Sequence, residues 1–299
     1  MNKKLFYSLI VFIAGSSYGF IVPVIKIASS QDVFPHTFLP VQYLFAAIVC
    51  SVGILLFRKR PKRPKSLWKM AILGFFTGGT SICYYTSVSM LPSAVALTML
   101  FQYVWVGILI DCIIHRKLPS ISSIVSAAIV VAGTFFAAGI FDGSVADLDP
   151  AGLAFGAGSA FFWAMYLNFS GTIGADEPLV LRTLMLSLGG LLVTSITNPF
   201  AYANAMSNPA IWPFAIGLTV LGILGPTALI NYASPHLSAG TVSIMASSEL
   251  PVGILAAWAI VQDTPSTFAL IGTALVLIGI VSKQIPDIVK SARRKDARD

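Results

Sequence analysis

The sequence predicts an all-α integral membrane protein of about ten transmembrane helices, arranged as two inverted five-helix repeats. Three observations predict it. The first is composition: 10% of the 299 residues are charged and 56% are hydrophobic, with a mean hydropathy of +0.84. A soluble domain needs about 25% charged residues, so little of this chain is soluble mass. The second is spacing: apolar runs fall at about 5–28, 36–57, 67–89, 92–114, 121–141, 150–170, 179–198, 210–232, 238–260 and 266–284, each near the length that crosses a bilayer. The third is an internal match. Residues 91–135 slide onto 237–281 at one offset without a gap, with about a dozen of roughly 45 positions identical. Leu91 meets Leu237, Met99 meets Met245, Val106-Gly107-Ile108-Leu109 meets Val252-Gly253-Ile254-Leu255, Pro119-Ser120 meets Pro265-Ser266, and Gly133 meets Gly279.

The first repeat spans residues 1–141 and the second 150–285, with the polar Asp142–Asp149 stretch between them and a basic tail at 286–299. An odd number of helices in each half forces the second copy into the membrane upside down. Helix 1 opens behind Lys3 and Lys4 as a signal peptide would, but its apolar run continues too far and lacks a cleavage site, so it is expected to be retained. Helices 2 and 3 flank the basic 58–66 segment, and the remaining connections are short.

Charge sets orientation. Lys3, Lys4, the cluster Arg58-Lys59-Arg60-Lys62-Arg63-Lys65, Arg116, Lys117, Arg182 and the tail Lys290-Arg293-Arg294-Lys295-Arg298 all fall on one side. The opposite loops, around Gln31–Pro35, Asp142–Pro150, Pro199–Pro209 and Gln262–Thr264, contain no Lys or Arg. Both termini are therefore expected in the cytoplasm, with the chain multi-pass in a bacterial-type inner membrane. Distributed in this way, the formal charge of +7 is a topology signal and does not point to nucleic acid. Cys50, Cys83 and Cys112 lie far apart inside apolar runs and read as small hydrophobes. No His, Cys and carboxylate grouping has metal-ligand spacing, no P-loop is present, and no cofactor is expected.

Glu249 is the strongest site candidate, because an acid near the middle of the 238–260 run costs roughly 2.5–3.5 kcal/mol on insertion scales. Pro251 has no N–H and crowds the carbonyl of Ser247, which predicts a kink there. With Ser247 and Ser248 beside it, the helix is expected to face a cavity. Glu249 would hold an amine or cation, or carry a proton; the competing reading is a structural tie through Asn231 or Asn168. The repeat places Tyr103, next to Gln102, at the depth of Glu249 on helix 4. Tyr18, Tyr84, Tyr85, Phe101, Trp163, Tyr166 and Tyr232 could hold a ring or an ammonium, although packing is the common role of membrane aromatics. Asn168 and Asn231 are amides in hydrocarbon and need partners. Lys26 reads as snorkelling at the outer boundary. Asp111 reads as an interfacial ion pair with His115 or Arg116.

The two related halves, the opening Gly15, Ser16, Tyr18 and Lys26, and the ending Pro251, Asp263, Gly272 and Gly279 together resemble the EamA family of the drug/metabolite transporter superfamily, over nearly the whole chain. There are departures: Ala14 precedes Gly15 in place of an aromatic, Trp105 stands where Pro251 does, and Lys117 stands where Asp263 does. The resemblance implies a central cavity lined by helices 1, 3, 4, 6, 8 and 9, with helices 2 and 7 outward. It also implies alternating access and export of small metabolites, with amino acids or organic amines ahead. On that reading Glu249, Tyr103, Asn231, Asn168, Ser247, Trp163, Tyr84, Gln102 and Tyr18 are the substrate-binding candidates. The expected partners are a small-molecule substrate, the lipid bilayer and a coupling proton, for a monomer or homodimer. A non-transporting receptor or assembly subunit is the alternative. A membrane-embedded enzyme ranks lower, since no nucleophile–base grouping is present.

Overall fold

The computed structural model describes residues 3–33, 35–57, 67–91, 93–137, 148–262 and 264–296, and every regular element among them is helical. The basic 58–66 segment, Asp142–Asp147 and Asp263 lie outside the described residues. The first repeat comprises α1 (Lys3–Gly19), α2 (Ile21–Ser29), α3 (Pro35–Phe57), α4 (Leu67–Met90), α5 (Ser93–Phe101), α6 (Tyr103–His115) and α7 (Ile121–Ala137). The second comprises α8 (Pro150–Phe169), α9 (Leu179–Thr197), the short α10 (Ala201–Ser207), α11 (Ile211–Leu218), a π-helical segment (Thr219–Leu224), α12 (Gly225–Ala233), α13 (Ala239–Ala246), α14 (Glu249–Val261) and α15 (Thr267–Asp296). The last helix runs on into the tail expected to begin at 286, as far as Asp296.

Among the described residues, six spans are long and apolar enough to cross a membrane: Lys3–Ala28, Thr37–Leu56, Val95–His115, Leu179–Thr197, Ile211–His236 and Ala239–Val261. Ile121–Ala137 and Thr267–Lys283 are apolar but shorter. α4 and α8 have 24 and 20 residues, but Gly74, Gly78, Gly79, Gly152, Gly156 and Gly158 with their hydroxyl neighbours dilute their hydropathy. Those small residues set the packing instead. Ser87 Oγ donates to the carbonyl of Gly152 at 2.9 Å, and a Cβ on Gly79 would meet the Phe162 ring at 3.1 Å. Leu55, Ile113, Ile121, Leu192 and Ile196 stand exposed on the outside of the bundle, where a lipid-facing surface keeps its apolar side chains.

Helices that correspond in the two repeats pack against each other in opposite directions. Along α7 and α15, Gly133 meets Gly272 while Ser126 meets Gly279 and Ser282. Along α3 and α9, Tyr43 meets Gly190 while Gly53 meets Val180. By contrast α4 and α9 run the same way, Gly74 against Leu186 and Gly78 against Gly190 and Val193.

The breaks in the long spans also correspond. α5 stops at Phe101 and α6 begins at Tyr103; α13 stops at Ala246 and α14 begins at Glu249, which is Tyr103's counterpart. In each break one N–H turns back three residues rather than four: Gln102 N to Met99 O at 3.2 Å, and Ser248 N to Met245 O at 3.3 Å. The carbonyl left over is capped by a side chain, since an orphaned backbone group in hydrocarbon is costly. Gln102 Nε2 donates to Thr98 O at 3.0 Å, and Ser247 Oγ donates to Ile244 O at 2.5 Å. Pro251 accounts for the second break. The first has Trp105 in its place, whose Nε1 donates to Gln102 Oε1 at 2.8 Å and holds the amide over the gap.

Candidate functional site

α1 crosses the second break closely enough that a Cβ on Gly15 would collide with the Ala246 carbonyl and Ser248 Oγ, and one on Gly19 would stand 2.7 Å from Gly253 N. Ser248 Oγ fastens the crossing by donating to Phe12 O at 2.7 Å. The seat brings the start of α14 against the middle of α1, so Glu249 faces a cavity of about 110 Å³ beside Tyr18. Tyr84, Tyr85 and the hydroxyls of Thr77, Thr80 and Ser81 on α4 form one wall; Trp163 of α8, Leu186 of α9 and Gly222, Ile223 and Thr227 around the π-helical segment form the other. Ser17 Oγ takes up one carbonyl in that segment, donating to Leu221 O at 3.0 Å. Residues of both repeats thus enclose one chamber.

Of the nine candidates, Glu249, Tyr18, Tyr84 and Trp163 line this cavity. Tyr103 does not: it is fully buried behind Trp163, ring centroids 6.4 Å apart and edge-on, while Trp163 meets Tyr18 edge-on at 5.3 Å. Ser247 is buried, with its hydroxyl spent inside its own helix. Gln102 turns to the half-exposed Trp105 on the outer surface. Asn231 is fully buried one turn beyond Thr227, its side-chain amide without a protein partner. Asn168 Nδ2 donates to Gly107 O at 3.1 Å and Ala164 O at 2.9 Å, tying α8 to α6. Neither amide bonds Glu249, so the expected structural tie is absent among the described residues.

Two expectations need correction. Helices 2 and 7 are not wholly outward, because Gln42 and Tyr43 of α3 and Leu186 of α9 reach the cavity. The small residues along α4 and α9 draw these helices inward, with Tyr43 stacked over Gly190. Arg182 is not a loop charge. It is 2% exposed within α9, and its Nη1 and Nη2 donate to the main-chain oxygens of Asn231 at 2.6 Å and Ser170 at 2.5 Å. It therefore binds the C-terminal ends of α8 and α12, where carbonyls lack intrahelical partners and favour a cation.

Sequence reasoning missed Gln42, Tyr43 and the α4 hydroxyls. The signal for Gln42 was available, since it is an amide in an apolar run just as Asn168 and Asn231 are. Its Nε2 is buried with no partner at the cavity wall.

Two recesses flank the chamber. One of about 410 Å³ lies between α3, α4 and α9 and shares Tyr85 with it. The other, of about 450 Å³, lies at the opposite end among Asp111, His115, Lys117, Asn168, Ser238 and Lys283, and shares no lining residue with it. Asp111 Oδ1 there pairs with His115 Nδ1 at 2.8 Å. Lys26 is exposed at the end of α2.

A duplicated helical bundle with an apolar exterior and an acid-bearing chamber between its halves defines a membrane protein built around a central polar site. The chain belongs to the EamA-like transporter family, which matches residues 5–139 and again 150–282. It is thus a membrane transporter of the drug/metabolite transporter superfamily, with the predicted duplication. Among curated proteins none matches it. A solved structure titled only as the crystal structure of a protein aligns over 93% of this chain and 98% of its own, with a TM-score of 0.70 at 17% identity, a likeness of fold.

Proposed function

We propose that the protein is a secondary transporter of small amphipathic metabolites, working by alternating access and exporting amino acids or organic amines across an inner membrane. The observation that carries this reading is the chamber itself. It places one acid and several aromatic rings at the junction of two repeats, beside the broken helices, where a two-state rearrangement would expose it to either side. Ten spans in an inverted five-plus-five arrangement are part of the reading, supported by the antiparallel packing of α3 with α9 and of α7 with α15. Both termini are placed in the cytoplasm by the Lys and Arg asymmetry.

Glu249 is assigned the amine of the substrate or, in exchange for it, a coupling proton. Tyr18, Tyr84, Tyr85 and Trp163 supply ring faces for an ammonium or an aromatic body. Tyr103, Asn168, Asn231, Ser247 and Gln102 are assigned to shaping the chamber and its helix breaks, with no substrate contact in this conformation. The test is flux by the purified protein in liposomes against a panel of amino acids and organic amines. At least one compound is expected to cross faster than through protein-free liposomes. Absence of flux across the whole panel contradicts the transporter reading and favours a receptor or assembly subunit.

A further inference from the structure

The charge inventory of the chamber is one-sided, with one carboxylate among neutral groups. Thr77, Thr80 and Ser81 each donate their proton to a carbonyl of their own helix, at 3.1, 2.8 and 3.1 Å, and Thr227 does the same to Ile223 O. Lone pairs are what remains to them, and Thr77 and Ser81 share a hydrogen bond with the Tyr43 side chain. The aromatic rings present negative faces, and Glu249 presents a carboxylate that no described side chain pairs or hydrogen-bonds. No Lys, Arg or His is among the lining residues. The buried Arg182 is a helical turn below Leu186, outside the lining, with both terminal nitrogens committed to main-chain oxygens. The donors there are all neutral: the hydroxyls of Tyr18, Tyr43, Tyr84 and Tyr85, the indole N–H of Trp163, and Gln42 Nε2, the last on a side chain 5% exposed and without a partner.

We propose that Gln42 is a substrate-binding residue and that the chamber selects monocationic amines, carrying an aromatic or apolar body and at most a neutral oxygen group, over zwitterionic amino acids with the same side chain. The inference rests on the transporter reading above. The ammonium group lies between Glu249 and the ring faces, where a desolvated cation is held by charge and by the ring quadrupole. A neutral oxygen, if the substrate has one, accepts from Gln42 Nε2 and satisfies a buried donor that is otherwise unpaired. The carboxylate of a zwitterion finds a like charge and no cation there, with only neutral donors to replace its water.

The test uses three probes with one side chain: phenethylamine, a cation; phenylalaninol, a cation with a neutral hydroxyl; and phenylalanine, the zwitterion. Binding to the purified protein is measured by calorimetry at neutral pH, on wild type and on Gln42→Leu, which keeps the volume and removes the donor. Phenethylamine and phenylalaninol are expected to bind, with phenylalanine about tenfold or more weaker. Gln42→Leu is expected to lower phenylalaninol to the level of phenethylamine and to leave phenethylamine unchanged, which also reports an intact fold. Phenylalanine binding as tightly as phenylalaninol overturns the selectivity while leaving the transporter reading in place. Phenylalaninol binding unchanged in Gln42→Leu, or phenethylamine binding lost with it, overturns the role given to Gln42. Binding of none of the three overturns the inference as a whole, whereas the transporter reading falls only if the flux panel is also empty.

Discussion

Glu249→Gln is expected to abolish flux while leaving the protein folded and inserted. The amide keeps the size of the carboxyl group and takes away its charge, so a substrate cation loses its counter-ion inside a chamber poor in water. Leaving one partner of a buried ion pair uncompensated costs about 3–5 kcal/mol, which lowers flux at subsaturating substrate by roughly a hundredfold to several thousandfold. Stability is a separate matter. No described side chain bonds the carboxylate, and neither Asn168 nor Asn231 reaches it, so neither Gln nor Leu at this position leaves a partner stranded. The stabilities of Glu249→Gln and Glu249→Leu, read from melting curves, are expected to match wild type within about 1 kcal/mol. Wild-type flux in the Gln variant, or a collapsed melting curve in the Leu variant, would return Glu249 to a structural role.

Gly74→Val breaks the bundle where it is tightest. A Cβ at Gly74 would fall on the Leu186 carbonyl and stand 2.6 Å from Gly190 N, and one at Gly189 would fall on the Ala71 carbonyl. All of these are backbone atoms of regular helices, so the side chain cannot be accommodated by a rotamer change and α4 must separate from α9. That seam also positions the chamber, because α4 carries Thr77, Thr80, Ser81, Tyr84 and Tyr85, and Gly190 on α9 seats Tyr43. The expected cost is above about 4 kcal/mol, the range reserved for overpacking and lost core contacts, and the purified variant is expected to melt about 10 °C or more lower and to lose flux. Gly217→Ala is the control, since a Cβ there meets nothing within 4 Å and its melting is expected to be unchanged. A Gly74→Val protein that melts with wild type would mean that α4 and α9 are not packed this way.

The duplication, the helical class and the polar break at Glu249 were legible because each leaves a linear trace: a constant offset, a run length, a proline two residues past an acid. The direction of side chains was not. Successive residues on a helix point about 100° apart, so Tyr103 and Glu249 share a depth in the repeat while one is sealed behind Trp163 and the other opens to the chamber. The same ambiguity hid Gln42, whose helix was assigned to lipid as a whole although its α9-facing side reaches inward. Arg182 misled for another reason. Its position near a helix end put it among the charges counted for orientation, and only the carbonyls of Ser170 and Asn231 converging on it reveal a buried one. The first-half break carries no proline, so no local residue announces it; it is held by the Thr98, Gln102 and Trp105 contacts.

The central claim is that one chamber serves both sides of the membrane, and Ser81→Cys tests it most directly. The variant is made in a background with Cys50, Cys83 and Cys112 replaced, then treated with a small impermeant thiol reagent in right-side-out and in inside-out vesicles. Ser81 lines the chamber and its hydroxyl donates to a carbonyl of its own helix, a small group that cysteine replaces at nearly the same size. Alternating access predicts labelling from both faces, each rate slowed by a transported compound. Labelling from one face alone, with or without that compound, would contradict it.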